Sequence, residues 1–328
     1  MSKGTCFFGE GLCMEYRILG GTGIRVSRLC FGSLGISPLQ SHLSIEEGTD
    51  IILEAIRAGV NFIDTAEFYN NYPYIKKALK LTNRDIVMVS KSYAYTYEDM
   101  RSSVEKARKE LDRDVIDVFM LHEQESRLTL NGHREALKYL IEAKEKGIIK
   151  AVGVSTHTVE VVEAAATMSE IDVIHPIINI KGIGIKDGDI CQMERAIEKA
   201  YKNSKGIYGM KCLGGGNLIG IKEEAFKYIL DFPYLHSVAV GMKSIAEVEA
   251  NCLIFEGRPV PEELKNRLDS QKRKLIVEDW CEGCGRCVQH CKFKALSIVR
   301  GKSRVDPDRC VLCGYCAGYC PEFCIKII

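Results

Sequence analysis

From residue 27 to residue 244 the chain repeats one alternation: a short apolar run, then a longer stretch whose apolar positions recur three and four residues apart. The runs are SRLCFG (27–32), VNFID (60–64), IVMVSK (86–91), VIDVFMLH (115–122), IKAVGVS (149–155), DVIHPIIN (172–179), GIYGMK (206–211) and SVAVGMKS (237–244). They are mostly continuous rather than alternating in polarity, the pattern of parallel strands buried on both faces. Between them, 44–59 opens with the Ser-x-x-Glu of a capping box and closes at glycine, while 97–111 and 133–147 carry the helical apolar period. Eight strand–helix units in roughly 240 residues predict an α/β fold, a closed (β/α)8 TIM barrel. An open doubly wound sheet is the alternative, but no G-x-G-x-x-G follows the first run. The early GGTG (20–23) reads as a hairpin turn between EYRIL and IRVSRL.

After Gly257 the pattern changes. RPVPEELKNRLDSQKRK (258–274) is a charged, proline-started helical stretch that reads as a linker over the barrel surface, its basic run a solvated face. The expected organisation is an N-terminal extension (1–13), a barrel (14–257), the linker (258–274) and a small α+β domain (275–328). Forty-five Lys and Arg against 44 Asp and Glu leave a formal charge of +1, which gives no reason to expect nucleic acid or an anionic membrane as partner. No stretch reaches the ~20 apolar residues of a membrane span, and MSKGTCFFGEGLC is too short in apolar run for a secretory signal. Met14 is an alternative start. Fifteen cysteines in such a chain point to a reducing cytoplasm and to metal rather than disulfides.

Eight of those cysteines form a repeat. Residues 281–291 read CEGCGRCVQHC and 310–320 read CVLCGYCAGYC, both C-x2-C-x2-C-x3-C, with each cysteine of the second copy 29 residues after its mate. The repeat extends to Asp279/Asp308, Gly285/Gly314 and the strands ALSIV (295–299) and CIKII (324–328). The spacing is that of bacterial two-cluster ferredoxins, in which the fourth cysteine of each run crosses to the other [4Fe–4S] cluster. By that rule Cys281, Cys284, Cys287 and Cys320 hold one cluster, and Cys310, Cys313, Cys316 and Cys291 the second. Zinc is the alternative soft-metal reading, but leaves no role for the third and the crossed fourth thiol. Pro321 follows the last cysteine of the second run and Lys292 that of the first, a difference in solvent access rather than in ligands. Cys324, repeat mate of Ala295, reads as a small core residue. Cys30, Cys191, Cys212 and Cys252 read as apolar packing, and Cys6 and Cys13 as part of the extension.

In a (β/α)8 barrel chemistry gathers where strands end. The second run delivers Asp64, with Tyr69 five residues on, the third Lys91 and the fourth His122. A tyrosine near neutrality is a weak acid unless a cation favours its anion. Lys91, held by Asp64, is expected to supply that cation, so that Tyr69 donates a proton to a developing alkoxide while His122 orients the same oxygen. None of the four carries electrons, so the reaction needs an external hydride, which points to nicotinamide.

NFIDTAEFY, VSK, DVFMLH and GIIKAVGVS, in that order, make residues 16–257 resemble the aldo-keto reductase superfamily. The Asp–Tyr–Lys–His catalytic tetrad falls on Asp64, Tyr69, Lys91 and His122. With its tail, the chain resembles the subgroup that carries a C-terminal two-cluster ferredoxin domain, to which GMKCLGGGNL (209–218) is also similar. The resemblance implies an NAD(P)-dependent oxidoreductase acting on a small carbonyl or alcohol, with NADPH or NADH extended across the barrel mouth. It places Ser155 and Thr156 at the carboxamide and His175 beside the nicotinamide. Lys211, Leu213, Gly214 and Gly215, in the loop to Gly216, pass over the pyrophosphate; Lys243, Ser244, Glu247 and Asn251 lie at the adenosine phosphate. Several positions depart from the family pattern: His175 replaces glutamine, Ile178 a stacking ring, Thr156 an asparagine. Glu247, standing for Arg or Gln, repels a 2′-phosphate and leaves NADH open beside NADPH.

A hydride moves two electrons and each cluster moves one, a mismatch that a flavin at the strand-seven and strand-eight loops would resolve. The clusters serve electron transfer or support. The alternatives are an electron-transfer adaptor, with a redox protein partner at the ferredoxin domain, and a redox sensor. The substrate pocket falls to loops 33–44 and 123–132.

Overall fold

The structure is a computed structural model that describes residues 14–41 and 43–328. Strands β1 (Tyr16–Ile18) and β2 (Arg25–Ser27) form the expected antiparallel hairpin, with GGTG at its turn. The eight apolar runs become β3 (Leu29–Gly32), β4 (Phe62–Asp64), β5 (Val87–Ser92), β6 (Ile116–Gln124), β7 (Ile149–Thr156), β8 (Val173–Pro176), β9 (Gly206–Met210) and β10 (Ser237–Gly241), which close as a parallel barrel with β10 paired to β3.

Helices α1 (Ile45–Arg57), α2 (Tyr72–Lys80), α3 (Tyr97–Leu111), α4 (Arg127–Gly132), α5 (Arg134–Glu145), α6 (Val159–Ala165), α7 (Ile190–Lys202), α8 (Lys222–Asp231) and α9 (Ile245–Phe255) surround it. The Ser44–Glu47 box caps α1 in both directions. The helices' apolar faces and the outward side of the strands make one large core. A second core fills the barrel, from Cys30, Phe62, Val87, Val89, Val118, Met120, Ala151, Val173, Tyr208 and Ala239, and the hairpin's Leu19, Ile24 and Val26 pack into it. It is a filled interior rather than a pore.

Past the barrel, α10 (Glu262–Asp269) lies on α9 through Leu264 and Leu268. The small domain has two ribbons, β11 (Leu275–Val277) with β14 (Ile325–Ile327), and β12 (Leu296–Val299) with β13 (Lys302–Val305), together with α11 (Arg286–His290). Its core holds Leu275, Leu296, Ala317 and Ile325, and Ile183 of the barrel packs against it. Cys324 and its mate Ala295 are both buried, as are Cys30, Cys212 and Cys252. Cys191 is not in the core: it stands exposed at the start of α7, on the polar side of an amphipathic helix whose inward face is Met193, Ala196 and Ile197. Cys6 and Cys13 lie outside the described residues. No helix among the described residues is long and apolar enough to cross a membrane.

Candidate functional site

Side chains two apart on a strand share a face. Phe62, Val89, Met120 and Val173 point into the barrel, so Asp64, Lys91, His122 and His175, each two residues further on, project inward at the C-terminal end. All four are buried. Lys91 Nζ donates to Asp64 Oδ1 and to the Thr65 carbonyl, each at 2.7 Å. Tyr208 also donates to Asp64 Oδ1 at 2.7 Å, with His175 stacked on its ring. Burial alone would raise the Asp64 carboxyl, but the Lys91 ammonium and the Tyr208 hydroxyl outweigh it and hold it below the usual range.

Tyr69 enters from the short 3-10 turn after β4, its ring centre 5.4 Å from Lys91 Nζ and 5.8 Å from the His122 ring. The structure brings the four sequence-predicted residues together. It differs on the expected acidification: burial, Asp64 and Glu123 push the Tyr69 phenol well above its ordinary value. Burial and the two carboxylates outweigh the nearby Lys91 ammonium, so the phenol keeps its proton. Burial, then Lys91, pushes His122 down to about 3, and burial pushes His175 to about 4, so both imidazoles are neutral. His122 Nδ1 is buried without a partner among the described residues.

A further set lies beyond the predicted residues. Glu123, in the left-handed region at φ 46°, accepts from the Tyr93 hydroxyl at 2.5 Å, and Tyr93 stacks on His122 at 4.3 Å. Burial disfavours the Glu123 carboxylate, yet Lys211 and His157 hold it well below the usual range. Lys211 Nζ lies 3.0 Å from His157 Nε2. The only sequence signal for Glu123, Tyr93 and His157 is their place one or two residues past strand-end polar positions, and Tyr208 lies within an apolar run.

Cys281, Cys284, Cys287 and Cys320 line one cavity, and Cys313, Cys287, Cys310 and Cys291 lie near Cys316. All described cysteines are free thiols. Among the described residues no three His, Cys, Asp or Glu groups converge on a point that would hold a single metal ion; the first set instead rings a volume. Backbone N–H groups aim at the sulfurs: Ala295 N to Cys291 Sγ at 3.3 Å and, 29 residues on, Cys324 N to Cys320 Sγ at 3.2 Å, with Ser303 N at 3.4 Å from Cys281 Sγ. Such donors favour thiolate and suit cluster sulfurs, so these residues fit [4Fe–4S] groups.

Several of the residues expected at a nicotinamide dinucleotide are hydrogen-bonded within the chain. Ser155 Oγ accepts from Glu123 N, and Thr156 Oγ1 donates to the Gln124 carbonyl. His175 Nδ1 bonds the Tyr208 carbonyl. Ser244 Oγ caps α9 and accepts from Gln271 Nε2. Glu247 accepts from Lys243 N and faces Arg273 at 3.9 Å, and Asn251 is buried on α9. Leu213 packs against the barrel's outer core and Gly214 lies against Leu218. Above Gly215 and Gly216 runs β14: Ile327 N donates to the Gly215 carbonyl at 3.0 Å, and a Cβ on Gly216 would stand 1.9 Å from the Ile327 carbonyl oxygen. The glycines' freedom at positive φ serves this strand, rather than the approach of a pyrophosphate.

The Aldo/keto reductase family profile matches residues 28–220, and the 4Fe-4S binding domain matches 274–297 and 303–326. The chain is 23% identical over 279 residues to L-galactose dehydrogenase of Arabidopsis thaliana, covering 73% of this chain and 87% of that one. It is 28% identical over 225 residues to aldo-keto reductase YhdN of Bacillus subtilis, covering 61% and 63%. Among solved structures, an aldo-keto reductase from Pseudomonas aeruginosa superposes with a TM-score of 0.65 at 25% identity, over 75% of this chain and 96% of that one. The holo form of aldo-keto reductase AKR11C1 from Bacillus halodurans shares the fold, with a TM-score of 0.63 at 20% identity over 78% and 95%.

Proposed function

The chain belongs to the aldo/keto reductase family and carries a 4Fe-4S binding domain, and from that premise we propose that it interconverts a small carbonyl compound and its alcohol at the C-terminal end of the barrel strands. The observation that carries this reading is the buried Lys91–Asp64 pair beside Tyr69 and neutral His122. Tyr69 gives its proton to the substrate oxygen as two electrons and one proton reach the carbon. The Lys91 ammonium, in place before the reaction, stabilises the phenolate left behind, at a moment when burial makes that anion costly. His122, unprotonated, offers a ring nitrogen to orient the oxygen without competing as an acid.

In the same proposal Cys281, Cys284, Cys287 and Cys320 hold one [4Fe–4S] cluster and Cys310, Cys313, Cys316 and Cys291 the other, and these groups supply one-electron transfer when bound. The residues expected to hold nicotinamide do not fit it as placed, and Tyr69's part in the reaction is the same whichever carrier delivers the electrons. Tyr69→Phe is expected to lower carbonyl turnover by about 10²–10⁴-fold, the usual weight of a positioned general acid. Turnover within threefold of the parent overturns the assignment.

A second reading, an electron-transfer adaptor, is favoured by the seating of the cluster domain on the barrel mouth. It predicts cluster oxidation by a partner protein that is indifferent to Tyr69→Phe.

A further inference from the structure

The two loops that the resemblance assigns to the phosphates of a dinucleotide are covered by consecutive segments of this chain, the end of the linker and the ribbon it leads into. β11 and β14 pair antiparallel, and Lys274 and Ile328 extend the ribbon with two further backbone bonds. One side of it lies on the glycine loop: Ile327 N bonds the Gly215 carbonyl, Asn217 Nδ2 donates to the Ile325 carbonyl at 3.0 Å, and Gly216 is in backbone contact with Ile327. The segment leading into the ribbon lies on the start of α9, where Gln271 takes the Ser244 hydroxyl and Arg273 faces Glu247.

Phe323 anchors the arrangement. It is 2% exposed, its ring meeting His157 at 5.9 Å and lying under the ammonium groups of Lys211 and Lys326. The repeat shows that this contact is specific to one half. Phe323 is the mate of Lys294, both at φ 50°, and Lys294 is exposed. Likewise β14 is buried along its length, whereas three of the four residues of its mate β12 are exposed. The ribbon positions are apolar in both copies; what differs is Phe323 in place of Lys294, and the burial of β14 where β12 is exposed.

We propose that this ribbon is the resident occupant of the dinucleotide seat, so that ribbon and nicotinamide dinucleotide compete for the barrel mouth. The Ser244 hydroxyl and the Lys243 backbone N–H are bonded within the chain, and β14 lies in backbone contact with Gly215 and Gly216, where a pyrophosphate would approach. The dinucleotide's apparent affinity is then reduced by the fraction of molecules in which the ribbon is lifted.

The test uses the anaerobic, cluster-loaded full chain, titrated with NADH and with NADPH while hydrogen exchange is followed in the peptide 321–328. Either no saturable binding, or binding accompanied by faster exchange in that peptide, is expected. Ile327→Pro, which removes the N–H that bonds the Gly215 carbonyl and leaves the ladder bonds to β11 in place, is expected to tighten binding at least about tenfold. Saturable binding with unchanged exchange in 321–328 overturns the proposal, because ribbon and dinucleotide would then coexist. So does an Ile327→Pro protein that keeps its cluster absorbance and binds no better. Should that variant fail to fold, the exchange arm on the parent protein decides alone. Neither readout depends on turnover, so loss of this proposal leaves the Tyr69 reading standing, and the reverse.

Discussion

Replacing Lys91 by methionine removes the one full positive charge bonded to Asp64. Lys91 is 1% exposed and Asp64 4%, so the carboxylate left behind is out of reach of solvent and, among the described residues, keeps the Tyr208 hydroxyl as its hydrogen-bond donor; the Thr65 carbonyl loses the Lys91 ammonium too. Breaking a buried pair in this way costs about 3–5 kcal/mol, two to nearly four powers of ten in the folded-to-unfolded ratio. The pH dependence carries the sharper test. In the parent protein the Asp64 carboxyl is held below its unfolded value, so its stabilisation is present above about pH 3.9 and lost as pH falls through the lower folded value. In Lys91→Met burial is opposed by the Tyr208 hydroxyl without the ammonium, and the carboxyl is expected to rise above the unfolded value. Its contribution then reverses, being greatest at low pH and lost as pH rises. The stability gap between parent and variant should therefore narrow as pH falls from 7 to 4. Urea unfolding of the anaerobic, cluster-loaded proteins, followed by far-ultraviolet circular dichroism at several pH values, measures it. Asp64→Asn added to Lys91→Met should recover part of the loss and flatten the pH dependence. A gap below about 1 kcal/mol, or one that is constant with pH, refutes the claim that this pair is a buried, mutually dependent unit.

Two further predictions follow from the same structure. His122 sits near 3 and His175 near 4, both far below an unfolded histidine, so the unfolded chain binds more protons. Stability should fall as pH drops below about 6.5, by up to about 1.4 kcal/mol per unit for each ring until its folded value is reached. His175→Gln should remove one ring's share of that slope, and an unchanged slope contradicts it. The Ser303 hydroxyl lies 3.4 Å from Cys287 Sγ. Ser303→Ala, with the thiolate losing that donor, should lower the potential of the cluster in the Cys281/Cys284/Cys287/Cys320 set by about 20–60 mV, taking about 0.5–1.5 kcal/mol for the bond and 59 mV per tenfold for one electron. A potentiometric titration followed by electron paramagnetic resonance reads it, and no shift counts against the cluster's lying against Cys287.

Much of the molecule is written locally. Parallel strands buried on both faces must be continuous apolar runs, which is why all eight were legible. The two-residue strand period then forces Asp64, Lys91 and His122 inward, because Phe62, Val89 and Met120 already are. The cysteine spacing is a one-dimensional signature of a ligand set, and its 29-residue repeat reappears as paired N–H···S bonds at Cys291 and Cys320. What tertiary structure alone decided is who sits beside whom across the two units. Tyr208 bonds Asp64 from 144 positions away, a contact no local pattern encodes. Tyr69 is buried beside Asp64 and Glu123, so it is not acidified in the resting site. The glycine loop, which by sequence reads as a seat for phosphate, is the seat of β14. Glycine specifies only that something approaches the backbone closely. Whether that is a ligand or another strand depends on where the rest of the chain folds. The clue in the sequence was the mismatch of repeat mates, Lys294 against Phe323, whose meaning appears only when one half is seen buried on the barrel and the other in solvent.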